Sequence, residues 1–290
     1  MPKRTTDKSK RGRTGRNRAK RRGPSIAARA DRHELYEQAV QAPDNDLEFF
    51  SRVFEELQGR PARSLREDFC GTAQLAAMWC KLDPKNTAIG VDIDRDTLDW
   101  GKARHIDPDP ELAQRIRLIC GDVREPTGEQ VDFACALNFS FCVFKTRDEL
   151  RRYLEVAREG LVEDGLLFLE LYGGTEAIVA YEEEREVDGF TYRWDQASFN
   201  PLTHDTVCHI HFAFPDGSKI ERAFTYEWRL WTVPELRELL IEAGFSDVRF
   251  FWEEVGSDDD DDELEGTGEY FETTEVENQE SWIVYVVGRA

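Results

Sequence analysis

The chain has 290 residues, 40% hydrophobic and 11% aromatic. That is enough to bury the core of one large α/β domain with an insertion, or of two modest domains, and it excludes wholesale disorder. The net charge of −21 is unevenly divided: residues 1–22 carry eleven Lys or Arg against one acid, Asp7, so the body is strongly acidic and repels phosphates, which argues against non-specific nucleic-acid binding by that body.

In chain order, residues 1–28 are basic and poor in large apolar side chains, so they are expected as a disordered tail. A transit peptide is the weaker alternative, because the tail lacks an apolar face, and a nuclear-type address is another. From Asp31 to Leu57, Leu35, Val40, Phe49, Phe50, Val53, Phe54 and Leu57 recur at helical spacing, and Pro43 divides the run into two helices within 29–62. Strands and helices then alternate over 63–174. Ser64–Cys70, Thr87–Ile93, Ile116–Val123, Val131–Asn138 and Gly165–Tyr172 read as strands, and Ala73–Leu82, Asp96–His105 and Thr146–Leu161 as helices. Such alternation implies a mostly parallel sheet covered on both faces.

After Gly174 the pattern changes. Residues 175–187 are read as a Glu-rich helix, and the rest of 175–231 as an antiparallel β insertion with a hairpin turn at Pro215-Asp216-Gly217-Ser218. The sheet pattern resumes over 232–290, with a helix at Thr232–Ala243 and strands at Asp247–Glu253 and Trp282–Gly288. Between them, residues 256–280 are expected as a mobile acidic loop, since Asp258–Asp262 repel one another and lack the glycine-centred spacing of a calcium site.

Six cysteines form no CxxC pair, no secretory apolar region follows the basic start, and no apolar stretch reaches the roughly 18 residues that span a membrane. A reduced, cytoplasmic setting without membrane contact is the simplest reading.

Ligands of open parallel sheets bind beyond the carboxyl ends of the strands. Three such ends carry acids here. The first is Glu67-Asp68-Phe69-Cys70-Gly71-Thr72-Ala73, whose small residues let backbone approach a ligand and whose acids can accept from an ammonium group. The second is Gly90-Val91-Asp92-Ile93-Asp94, where Asp92 can accept from both ribose hydroxyls. At the third, Cys120-Gly121-Asp122-Val123, the acid can accept from an adenine amino group while a backbone amide donates to the ring. Three acids in this order favour a nucleoside over a phosphate. A dinucleotide fold is disfavoured because no GxGxxG is present.

With these motifs, residues 31–290 resemble class I S-adenosylmethionine-dependent methyltransferases. Cys70-Gly71-Thr72 matches the middle of that family's glycine-rich loop. Gly90-Val91-Asp92 is similar to its ribose motif and Gly121-Asp122-Val123 to its adenine motif. The stretch from Trp231 through Gly244-Phe245 is similar to its last helix and the entry to its closing strands. The resemblance implies a Rossmann-like sheet, mostly parallel with an antiparallel last strand, carrying the β insertion, and S-adenosylmethionine as cofactor. It implies a cofactor set of Tyr36 from an N-terminal lid, Glu67 or Asp68, Cys70, Gly71, Thr72, Asp92, Ile93, Asp122, Val123 and Asn138. Two positions depart: Phe69 and Ala73 stand where the family has its first and third glycines.

The acceptor is expected at the end of the fourth strand. Asn138 and Tyr172 are the catalytic candidates, and Phe141, Trp194, Arg222, Trp228 and Arg229 the substrate candidates, on the reasoning that aromatic rings stack on or box a substrate and arginines fork a carboxylate. Alternating aromatics in a strand equally describe one packed face of a sheet. His209 and His211 share a strand face but lack a third ligand, so no metal is expected. The leading function is methyl transfer to a small-molecule N or O acceptor. The alternatives are an RNA or protein methyltransferase, for which the basic tail offers a nucleic-acid contact, and a non-catalytic cofactor-binding module.

Overall fold

A computed structural model describes residues 23–257 and 264–290. The basic tail over 1–22 and the Asp258–Asp262 run lie outside the described residues. Helix α1 (Arg32–Val40) starts at Asp31, whose carboxylate accepts the His33 amide at 2.8 Å. Helix α2 (Pro43–Gln58) opens on Pro43, which has no amide to leave unpaired, and stops at Gly59 in the left-handed conformation (φ 66°).

The central sheet has eight strands: β1 (Ser64–Asp68), β2 (Thr87–Asp92), β3 (Ile116–Cys120), β4 (Val131–Ala136), β5 (Leu161–Gly173), β10 (Asp247–Ser257), β11 (Leu264–Glu272) and β12 (Trp282–Arg289). Their order is β11-β10-β12-β5-β4-β1-β2-β3. Strands β1 to β5 run parallel, and β12 is wedged antiparallel between β5 and β10. The order reverses at β1 and β4, which opens a crevice above their carboxyl ends.

One face of the sheet packs on α2, α3 (Gln74–Leu82) and α5 (Pro110–Arg115) through Phe50, Phe54, Leu75, Trp79, Leu112, Phe133 and Phe168. The opposite face packs on α6 (Arg147–Glu159) and α7 (Val233–Glu242) through Leu150, Tyr153, Leu154, Leu236 and Leu240. Helices α6 and α7 each begin with a capping box, Thr146 with Glu149 and Thr232 with Glu235. Helix α4 (Arg95–Gly101) follows β2 and runs into a π-turn at Lys102–Ile106.

A second sheet, β6-β7-β8-β9, contains β6 (Tyr181–Val187), β7 (Phe190–Phe199), β8 (Asp205–Ala213) and β9 (Lys219–Arg229). Its registers place Tyr192, Trp194, Ile210, Phe212, Phe224, Tyr226 and Trp228 on one face. That face meets Leu35, Tyr36 and Ala39 of α1, so the insertion and the N-terminal helix form one apolar cluster.

Two expectations are corrected. Residues 175–187 are a short 3₁₀ turn (Glu176–Ile178) followed by β6, not a helix. A helix would set Glu182 against Glu186 one turn apart, whereas the edge strand holds Glu182, Glu184 and Glu186 in water and blunts a free sheet edge. Within 256–280, β10 continues to Ser257 and β11 pairs back onto it, so the expected loop contains a strand. Tyr270 anchors β11, its ring 5.1 Å from Phe49 and 4.7 Å from Tyr285.

Candidate active site

Strand β1 alternates its side chains between the two faces of the sheet, and this separates its two acids. Glu67 faces α3, and its carboxylate accepts the Ala76 amide at 3.0 Å, near the positive end of that helix. Burial pushes this carboxyl up to about 8, and the charge of Asp92 adds to the effect. Asp68 faces the other way. It is buried in a two-pronged pair with Arg66 (2.7 and 2.8 Å) and accepts from Tyr153 at 3.0 Å. Asp68 therefore lies in the core between β1 and α6, its carboxylate engaged by Arg66 and Tyr153.

The loop after β1 takes left-handed backbone at Phe69 (φ 58°), Gly71 (φ 51°) and Ala73 (φ 55°). Phe69 and Ala73 are the two positions that depart from glycine, so the glycine geometry is kept without the glycines. A side chain costs about 1–2 kcal/mol in this region. The Phe69 ring offsets that by packing at 5.8 Å from Tyr153 and 5.9 Å from Phe144. The Cys70 side chain is buried against Gly90, leaving only its backbone to the loop.

Asp92 ends β2. One carboxylate oxygen accepts the Gly71 amide and the other the Asp94 amide, each at 2.8 Å, so it ties the loop to the start of α4. Ile93 beside it is 76% exposed, an unusual state for a large apolar residue at a strand end. Beyond β3, Val123 is buried, and Asp122 is gripped by Arg124 through its Nε (3.0 Å) and Nη2 (2.7 Å). The Arg124 hydrogen bonds hold the Asp122 carboxyl below the usual range. A base binding at Asp122 has to share that carboxylate with Arg124.

Helix α1 closes over this loop. Glu37, which the sequence reading did not single out, accepts from Thr72 Oγ1 at 2.6 Å and pairs with His105 Nε2 at 2.7 Å. Trp100 of α4 donates to Asp31 at 2.8 Å. Tyr36 does not point at the loop. Its ring lies 4.9 Å from Phe224, and burial pushes the phenol up to about 12.

Past β4, Asn138 and Phe139 are both left-handed (φ 51° and 58°), and the Asn138 amide donates to the Glu170 carboxylate on β5. Burial and the charge of Asp46 push Glu170 up to about 8. Tyr172 packs 4.6 Å from Phe139, and its hydroxyl has no hydrogen-bond partner among the described residues. Trp194 and Trp228 sit on the inward face of the insertion, Trp228 stacked 4.4 Å from Tyr226.

Three substrate candidates fall elsewhere. Phe141 is wholly enclosed in the core. Arg229 is committed to Glu235 (2.8 Å), to the Lys145 carbonyl and to the Trp231 ring at 3.8 Å. Arg222 sits exposed at a bulge in β9, its amide donating to His211 on the outward side of the insertion. The signal for Glu170 was present in the sequence: it is the lone acid in the apolar run Leu166-Leu167-Phe168-Leu169-Glu170-Leu171. Glu37 carried no such signal.

No family model and no curated protein sequence matches the chain. Solved structures do. A methyltransferase dependent on S-adenosylmethionine from Clostridium acetobutylicum superposes with a TM-score of 0.63 at 16% identity, covering 88% of this chain and 96% of its own. An amino pentose methyltransferase from Micromonospora echinaspora, solved with S-adenosylmethionine bound, gives 0.63 at 16%, covering 89% and 96%. A sugar N-methyltransferase from a Streptoalloteichus species gives 0.60 at 16%, covering 96% and 99%. The chain thus has the fold of class I S-adenosylmethionine-dependent methyltransferases, as the sequence motifs implied.

Proposed function

We propose that the chain is an S-adenosylmethionine-dependent methyltransferase acting on a small molecule through a nitrogen or oxygen atom. The observation that carries this reading is the convergence of Glu67, the Phe69–Ala73 loop and Asp92 at adjacent strand ends. Glu67 and Asp92 are carboxylates satisfied by backbone amides rather than by arginine or lysine. They suit a ligand that brings hydroxyl and ammonium donors, the ammonium favouring the ionised form of Glu67, and the charge of Asp92 repels phosphate. The exposed Ile93 and the Asp122 carboxylate supply an apolar surface and an acceptor for a base. When bound, the cofactor supplies a methyl group on a sulfonium, and what the protein adds is chiefly placement.

The acceptor side supports a small molecule. The aromatic inner face of the insertion packs over the strand ends, Trp194, Tyr226 and Trp228 joining Phe139 and Tyr172 in one cluster. The amino pentose and sugar acceptors of the two bacterial neighbours agree with a compact acceptor. No helix among the described residues is long and apolar enough to cross a membrane, and the six free cysteines agree with a reducing compartment. The eleven cations of residues 1–22 favour a second reading, an RNA substrate.

Calorimetry with S-adenosylmethionine, followed by incubation of the chain with methyl-labelled cofactor and a metabolite extract, tests the first reading. Absence of binding at millimolar cofactor removes it. RNA binding that weakens with salt, and that is lost on deleting residues 1–28, favours the second.

A further inference from the structure

Strand β5 carries Glu170 to the level of the β4 terminus, where it holds the Asn138 amide. Several neighbouring elements present an acid or a phenol. Tyr285 of β12 lies opposite it in register and gives its hydroxyl to Asp46 of α2 at 2.7 Å. Glu253 of β10 accepts from Gly268 at 3.2 Å. The charges acting on Glu170 come from Asp46 and Glu253, both negative. Among the described residues, a carboxylate so placed lacks the cation that buried acids normally find.

Resting on the methyltransferase reading, we infer that the acceptor is an amine, bound as its ammonium form against Glu170, and that Glu170 takes its proton. The ammonium R–NH₃⁺ gives one proton to the carboxylate. The products are R–NH₂, with its lone pair free, and an uncharged Glu170 carboxyl group. Two opposite charges become two neutral groups, a change that a poorly solvated site favours. An alkylammonium titrates at about 10, within reach of a carboxyl raised to about 8. An ordinary alcohol, like water, is a far weaker acid than an alkylammonium, and this carboxylate does not take its proton.

Glu170→Gln tests the assignment, because its amide oxygen still accepts from Asn138 but takes no proton. Three results are expected. S-adenosylmethionine affinity by calorimetry stays unchanged. The kcat falls about 100-fold and no longer rises with pH near 8. Carbon NMR of the glutamate carboxyls loses one of two groups titrating near 8, the other being Glu67. Glu170→Asp, which keeps a carboxylate, recovers part of the rate. The acceptor class is read separately, by supplying labelled cofactor to a cell extract before and after amine-selective acylation with an N-hydroxysuccinimide ester. Label that disappears on acylation supports the inference. Label that survives it, or a Gln variant with native kcat and pH profile, overturns the inference while leaving cofactor use intact. Failure of the native chain to bind S-adenosylmethionine, or absence of label from both extracts, removes the methyltransferase reading instead.

Discussion

Gly101→Ala separates a local preference from a tertiary constraint. Gly101 closes α4 with helical dihedrals (φ −64°, ψ −42°), and in an isolated helix alanine there is better by about 1 kcal/mol. In the folded chain, a Cβ at this position would lie 2.0 Å from the Thr72 carbonyl oxygen and 2.5 Å from the Thr72 Cα. Both atoms are backbone, so no rotamer change relieves the contact. Non-bonded atoms settle only beyond about 3 Å, and α4 and the cofactor loop must therefore part by about 1 Å. Overpacking of this kind costs about 1–3 kcal/mol or more, which cancels or outweighs the helix gain. The displaced residue is Thr72, which bonds Glu37 and follows Gly71, the partner of Asp92. A misplacement of about 1 Å in such a loop is worth on the order of 100-fold in ligand handling. We expect Gly101→Ala to lower stability in urea denaturation by up to about 2 kcal/mol net, and to weaken S-adenosylmethionine at least tenfold by calorimetry. A variant of equal or greater stability with native cofactor affinity would refute the argument that α4 and the loop are in unyielding contact.

Three further outcomes are expected. Asp92→Ala removes the acceptor of two backbone amides and should weaken S-adenosylmethionine markedly in calorimetry while leaving the circular dichroism spectrum unchanged. Asp68→Asn breaks a buried ion pair and should cost about 3–5 kcal/mol in denaturant titration, with cofactor affinity of the folded fraction unaltered. A weakened cofactor would return Asp68 to the site. Stability should also fall as pH rises. Asp46, Glu67 and Glu170 have folded values of about 6, 8 and 8, above their ordinary 3.8, 4.5 and 4.5. Between those limits the folded chain binds more protons than the unfolded one, so the stability they contribute is complete below about pH 4 and is lost progressively up to about pH 8. Melting temperature followed from pH 5.5 to 8.5 checks the sign, and Glu67→Gln should flatten the slope.

Much of the parallel half of the sheet was legible because its strands are continuous apolar runs ended by acids, and its helices carry caps and stops that act locally. Leu65–Asp68, Thr87–Asp92 and Val131–Ala136 needed no partner to be read as strands, and Thr146 and Thr232 announced their helices. Strands β6 and β11 were not legible. Each is polar along much of its length and becomes a strand only because β7 or β10 offers a free edge.

The candidate site divides in the same way. That acids stand at three successive strand ends is a property of the sequence alone, since a strand's end is set by where its apolar run stops. The different surroundings of Glu67 and Asp68 were decided by tertiary structure. Adjacent residues of a strand point to opposite faces, and only the packing of α3 on one face and of Arg66 and Tyr153 on the other gives the two carboxylates different fates. The same holds for Phe69 and Ala73, whose left-handed backbone is held by rings and strand ends distant in sequence, and for Glu37 and Glu170, which meet Thr72 and Asn138 only once the chain has closed on itself.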